Sequence, residues 1–149
     1  MNPMNQGRDT TMKSQENQQS KWMKLAYKEA QKAFNLGEVP VGAVIVLDGK
    51  VIAKAHNLKE SKQLTFAHAE MLAIQKANKK IGSWRLENCE MYVTLEPCPM
   101  CAGALIQSRI QKLYYGASDP KTGAIHSKTQ LSDIAFNHQI KVEGCVEAD

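Results

Sequence analysis

The chain has 149 residues, 43% of them hydrophobic and 23% charged, and a formal net charge of +4. A chain of that length buries roughly two thirds of its unfolded surface in one domain, and this balance of apolar and charged residues excludes a disordered or fibrous protein. No run approaches the ~20 apolar residues of a membrane helix and the N-terminal stretch is too polar for a secretory signal, so a cytoplasmic protein without membrane association is expected; the modest positive charge permits attraction to phosphate but does not mark a dedicated nucleic-acid binder.

Residues 1–19 offer almost nothing to bury and cannot offset the entropy of ordering, so a flexible polar tail is expected ahead of a domain spanning 20–149. From Ser20, a candidate N-cap, apolar residues recur at Trp22, Ala26, Ala30, Ala33 and Phe34 with a helical period that stops at Gly37. The apolar run 41–47, the Asp48-Gly49 turn and residues 50–56 predict a β-hairpin. A second helix is predicted from His68 to about Ile81, with Met71, Leu72, Ile74 and Ala77 on its buried side and Gly82 ending it. Met91–Leu95 reads as a strand, Pro99–Ser108 as a third helix and Lys112–Gly116 as a fourth strand, whereas 118–130 has no period and suits a surface loop. Alternating strands and helices imply parallel pairing. The expected fold is therefore α/β, a three-layer α/β/α sandwich with a mixed, mostly parallel central sheet and an N-terminal hairpin.

Two short segments carry chemistry: His68-Ala69-Glu70, and Pro97-Cys98-Pro99-Met100-Cys101. Each opens a predicted helix after a loop or strand, which is where sites assemble in open α/β sheets. Cys98 and Cys101, three apart on a first helical turn, can aim both sulfurs at one point, and the positive helix end favours their thiolates. With His68 they form a three-ligand zinc site whose fourth position stays open, as in catalytic rather than structural zinc sites. Glu70 then suits the carboxylate that takes a proton from water and delivers it to a leaving group. Residues two apart in mid-helix point to different sides, so His68 and Glu70 can converge only if one of them sits at the helix end. Alone, the cysteine pair reads equally as a redox pair or half of a closed zinc ribbon, and the His-Ala-Glu tripeptide as helix surface or core; together each supplies what the other lacks. Cys89 and Cys145 have no partner at ligand spacing and read as semi-buried free thiols.

These segments, with residues 38–44 (EVPVGAV), Asn57, 67–70 (AHAE), 84–86 (WRL), 92–104 (YVTLEPCPMCAGA), 108–110 (SRI), 116–123 (GASDPKTG) and 136–138 (FNH), closely resemble the bacterial tRNA adenosine deaminases of the cytidine-deaminase-like superfamily. The resemblance runs over residues 21–149. It implies hydrolytic conversion of adenosine to inosine at the first anticodon position of a tRNA, an arginine tRNA in bacterial members, by a homodimer with one zinc ion per subunit. By position, it implies that His68, Cys98 and Cys101 hold zinc and Glu70 shuttles protons. Val41, Asn57 and the backbone near Ala69 would contact the flipped adenine, while Asp119, Lys121, Phe136, Asn137 and His138 would contact neighbouring nucleotides of the anticodon stem-loop. The resemblance also leads one to expect a C-terminal helix beyond Asp149, and a small residue where His126 stands. Two other functions fit the same signature. A deaminase of a free base or nucleoside would need a pocket closed over the site, which the open loop 118–130 does not provide; a non-catalytic zinc module would need a fourth protein ligand.

Overall fold

A computed structural model describes residues 3–134 and 136–146, with side chains from residue 17 onward. Helix α1 spans Pro3–Asn35. Ser20 therefore lies inside the helix rather than at its start, consistent with the helix-favouring Lys, Gln and Glu residues that precede it and the absence of any Gly or Pro between Gly7 and Gly37. Of the polar stretch 1–19, residues 1 and 2 and the side chains before Asn17 lie outside the described residues. At the other end Gly37 takes a φ of 79°, and the N–H of Glu38 returns to the Ala33 carbonyl, a left-handed helix end that glycine accommodates without strain.

Strands β1 (Gly42–Leu47) and β2 (Lys50–His56) form the hairpin. Asp48 and Gly49 both have positive φ, as a tight two-residue turn requires. A short helix α2 (Lys59–Lys62) precedes α3 (Ala69–Ile81), then β3 (Cys89–Leu95), α4 (Pro99–Gln107), β4 (Lys112–Ala117) and, after a single 3-10 turn at Leu131–Asp133, β5 (Lys141–Glu143). The five-stranded sheet has the order β2-β1-β3-β4-β5. β1 runs antiparallel to both β2 and β3, because the hairpin turns the chain back before the first crossover. β3, β4 and β5 are mutually parallel. The α2 turn and β5 have no counterpart in the sequence reading, since both are too short and too charged to show a period.

Alternation along the strands sorts side chains between two cores. Val44, Val46, Tyr92 and Tyr114 pack under α1 against Trp22, Met23 and Ala26. Ala43, Ile45, Met91, Val93, Leu113 and Tyr115 face the other side, against Leu72, Ala73 and Ala77 of α3 and Ala102, Leu105 and Ile106 of α4. Each large buried side chain contributes on the order of 1.5–3 kcal/mol. Phe34, expected on the buried stripe of α1, is instead 63% exposed, because the stripe through Met23, Ala26, Ala30 and Ala33 faces the sheet and the next residue turns about 100° away. Cys89 is fully buried and Cys145 exposed, so neither is semi-buried. Among the described residues no helix is long and apolar enough to cross a membrane.

Candidate active site

The site sits where the C-terminal end of β3 meets the N-terminal ends of α3 and α4. His68 is the N-cap of α3, with extended backbone (φ −78°, ψ 149°), and Glu70 belongs to the first turn. That change of backbone geometry lets side chains two residues apart face one point. Cys98 is the corresponding N-cap of α4 (φ −73°, ψ 173°), and Pro99 opens the helix where a missing N–H costs nothing. Cys101 follows in the first turn and is fully buried.

The two helix starts bring His68 Nδ1 to 3.7 Å from Cys98 Sγ and 3.6 Å from Cys101 Sγ. All three donor atoms lie within 4.8 Å of one another. Zinc–nitrogen bonds of about 2.0–2.1 Å and zinc–sulfur bonds of about 2.3 Å at tetrahedral angles put such atoms roughly 3.6–3.8 Å apart, so the cluster has the spacing of three corners of a zinc tetrahedron. A hydrogen bond from Cys101, then the N–H groups of the helix start and the His68 ring, bring the Cys98 thiol down to about 5, against the cost of burial. Cys101 is pushed the other way by the same shared proton and by burial. Burial also pushes the Glu70 carboxyl up to about 7, with the neighbouring Cys98 charge adding to it.

A cavity of about 140 Å³ opens over this cluster and is lined by His68, Glu70 and Cys98 together with Val41, Asn57 and Asp119. Asn57, at the end of β2, accepts the Ala69 N–H at 2.7 Å through Oδ1. Its carbonyl and the Ala69 N–H are thereby committed to each other, and the Asn57 amino group is the donor left to face the cavity. Asp119 accepts the Lys121 and Thr122 N–H groups and the Thr122 hydroxyl, so its carboxylate shapes its own turn. Lys121 is exposed beside that turn. Phe136 is 49% exposed and Asn137 exposed, neither lining the cavity. His138 Nε2 is bonded to the Ile110 carbonyl at 2.6 Å, ahead of β4 and therefore at the opposite end of the strands.

Five lining residues escaped the sequence reading as site residues: Val39, Lys59, Leu95, Glu96 and Thr122. Glu96 had a usable signal, a lone carboxylate between apolar Leu95 and Pro97. It is 2% exposed; burial opposes its ionisation, but hydrogen bonds from Ser127, His126 and Asp119 outweigh that and hold its carboxyl at about 2. His126, unaccounted for in sequence, bonds through Nδ1 to the Tyr115 hydroxyl at 2.6 Å. A more spacious cleft of about 430 Å³ lies under α1 near the opposite strand ends, between Trp22, Tyr92, Tyr114 and Lys112, and holds none of the metal-ligand residues.

Residues 17–145 match the family model described as MafB19-like deaminase. The tRNA-specific adenosine deaminase of Bacillus subtilis is 55% identical over 122 residues, which cover 81% of this chain and 76% of that protein. A chain solved in studies of A-to-I editing by tRNA:A34 deaminases at the wobble position of transfer RNA superposes with a TM-score of 0.80 at 44% identity, covering 83% of this chain and 95% of its own. Guanine deaminase from Bacillus subtilis superposes with a TM-score of 0.64 at 30% identity, over 78% of this chain and 85% of that one.

Proposed function

The chain belongs to the tRNA-specific adenosine deaminases, a branch of the deaminase family whose model it matches, and from that premise we propose that His68, Cys98 and Cys101 bind one zinc ion at which the adenosine of the first anticodon position becomes inosine. The observation that carries the zinc reading is the convergence of those three donor atoms within 4.8 Å, with His68 and Cys98 lining a cavity that Glu70 also lines. A zinc ion held by these residues would supply Lewis acidity.

The reaction adds water at C6 of adenine and expels ammonia. Glu70, which lines the cavity, accepts the proton of the attacking water at its carboxylate and returns it to the departing amine. Asn57 orients the base by donating from its amino group to a purine ring nitrogen, while its carbonyl stays fixed by Ala69. Val41 supplies an apolar wall. Chemistry at C6 of a base requires that base to leave its stack, which an anticodon loop already favours. Lys59 at the cavity rim and Lys121 beside the Asp119 turn are placed to meet flanking phosphates, whereas the Phe136–His138 segment lies apart from the rim. We assign the anticodon stem-loop of an arginine tRNA as substrate, the cytoplasm as the place of action and a homodimer as the assembly; exposed Leu64 and Phe66 between α2 and α3 give such a dimer apolar surface to cover.

Wild-type protein and Glu70→Ala, both zinc-loaded, test this on an anticodon stem-loop. The variant should retain one zinc per chain and lose about 10²–10⁴-fold in rate, the usual contribution of a positioned acid–base group. Retained turnover would remove Glu70 from the reaction, and loss of zinc would make it a support of the metal site instead.

A further inference from the structure

The buried Glu96 carboxylate lies two residues before Cys98 and takes no part in the chemistry above. Every one of its hydrogen-bond partners comes from the loop that follows β4. Oε1 accepts the Asp119 N–H at 3.1 Å and the Ser127 hydroxyl at 2.5 Å. Oε2 accepts the N–H groups of Ile125, His126 and Ser127 at 3.1, 2.8 and 2.9 Å. The next residue continues the seam, with the Pro97 carbonyl accepting the Ala124 N–H at 2.8 Å. Space is tight around the carboxylate: a Cβ at Gly123 would collide with it and with the Asp119 carbonyl oxygen. A loop of irregular backbone is thus held to the strand end that carries Cys98, at both its entry and its exit, by one side chain.

Two residues of that loop, Asp119 and Thr122, form one wall of the cavity. We propose that Glu96 is a positioning residue that fixes the 119–127 loop against the Cys98 strand end and so sets the RNA-facing wall of the site. The inference rests on the deamination reading for its kinetic arm only. Its chemistry makes a sharp distinction. In Glu96→Gln the side chain keeps its shape but must place an amino group where one oxygen was. Oε2 faces three N–H donors, so the amino group goes to the Oε1 side, where the Ser127 hydroxyl can turn to accept but the Asp119 N–H cannot. The substitution therefore frees the loop at Asp119 while leaving its far end bonded.

The test compares wild type, Glu96→Gln and the milder Ser127→Ala, all zinc-loaded, by steady-state kinetics on the anticodon stem-loop and by limited trypsin digestion at Lys121 and Lys128. Loss of a hydrogen bond to a buried charge predicts a KM about tenfold higher in Glu96→Gln. Its kcat and zinc content should stay near wild type and its loop should be cut faster, with Ser127→Ala shifting the same way by less. An unchanged KM with wild-type protection, or a fall in kcat at constant KM, would overturn the proposal. If Glu96→Gln fails to fold, Ser127→Ala decides by the same two readouts. If wild type itself does not deaminate the stem-loop, the deamination reading fails, and trypsin protection alone then decides the role of Glu96.

Discussion

At the scale of single residues, the site depends on one backbone device used twice. His68 and Cys98 are N-caps with extended backbone, and Glu70 and Cys101 sit in the turns that follow, so four side chains from two helices meet, and no buried side-chain nitrogen or oxygen among the described residues is left unpaired. These four could be read in the sequence because each pair lies within three residues and its spacing alone limits where the side chains can point. Glu96 was legible only as a lone carboxylate between apolar Leu95 and Pro97; its role was not, because the partners that give it one lie 23 to 31 residues further along the chain. Asn57 shows a similar limit: the family resemblance implied contact with a base, but only the fold reveals that its carbonyl accepts the Ala69 N–H. Asn57→Ala should therefore do two things. Leaving the buried Ala69 N–H without its acceptor costs about 1–3 kcal/mol of stability, and loss of the amino donor should raise KM for the stem-loop with zinc content unchanged. Thermal unfolding and kinetics on one preparation check both, and an unaltered KM would take Asn57 out of the base pocket.

Among the elements, α1 is the one on which the base pocket leans. It crosses β1 so closely at Gly42 that a Cβ there would overlap the Ala26 carbonyl oxygen and the Ala30 nitrogen, and it reaches the end of β2 through buried Glu29. That carboxylate pairs with Lys32 at 2.6 Å and with His56 Nδ1 at 3.1 Å, immediately before Asn57. Burial raises the Glu29 pKa, yet its hydrogen bonds to Lys32 and His56 outweigh this and hold the carboxyl below the ordinary 4.5. A depressed carboxylate stabilises the fold above its unfolded pKa and stops doing so as pH falls through the folded value. Wild type should therefore lose stability below about pH 4.5 more steeply than Glu29→Gln, which should be about 1 kcal/mol weaker near neutrality. Denaturant unfolding across pH 3–7 reads the difference, and parallel curves would contradict it. The periodicity of α1 was legible from Trp22 onward, as were β1 to β4, α3 and α4, because apolar spacing reports a buried face. The antiparallel junction of β1 with β3 was not, since it depends on where the hairpin leaves the chain rather than on any local pattern.

For the whole molecule, fold and function are joined by the layering. Helices on both faces bury the sheet, the strand ends are left to carry loops, and the metal-type cluster forms at the end where β3 delivers its chain to α4. A net charge of only +4 fits recognition of a short, already unstacked loop by a concave site better than adhesion to a long duplex, which would need a far more basic surface. The fold alone does not choose the substrate, because a guanine deaminase shares it at a TM-score of 0.64. The most direct test offers zinc-loaded protein, in parallel, an anticodon stem-loop with adenosine at the first anticodon position and free adenosine, guanine and cytidine, and measures deaminated product in each. Inosine at that one position of the RNA, with no turnover of the free compounds, is the predicted result; turnover of a free base or nucleoside while the RNA stays unmodified would contradict it.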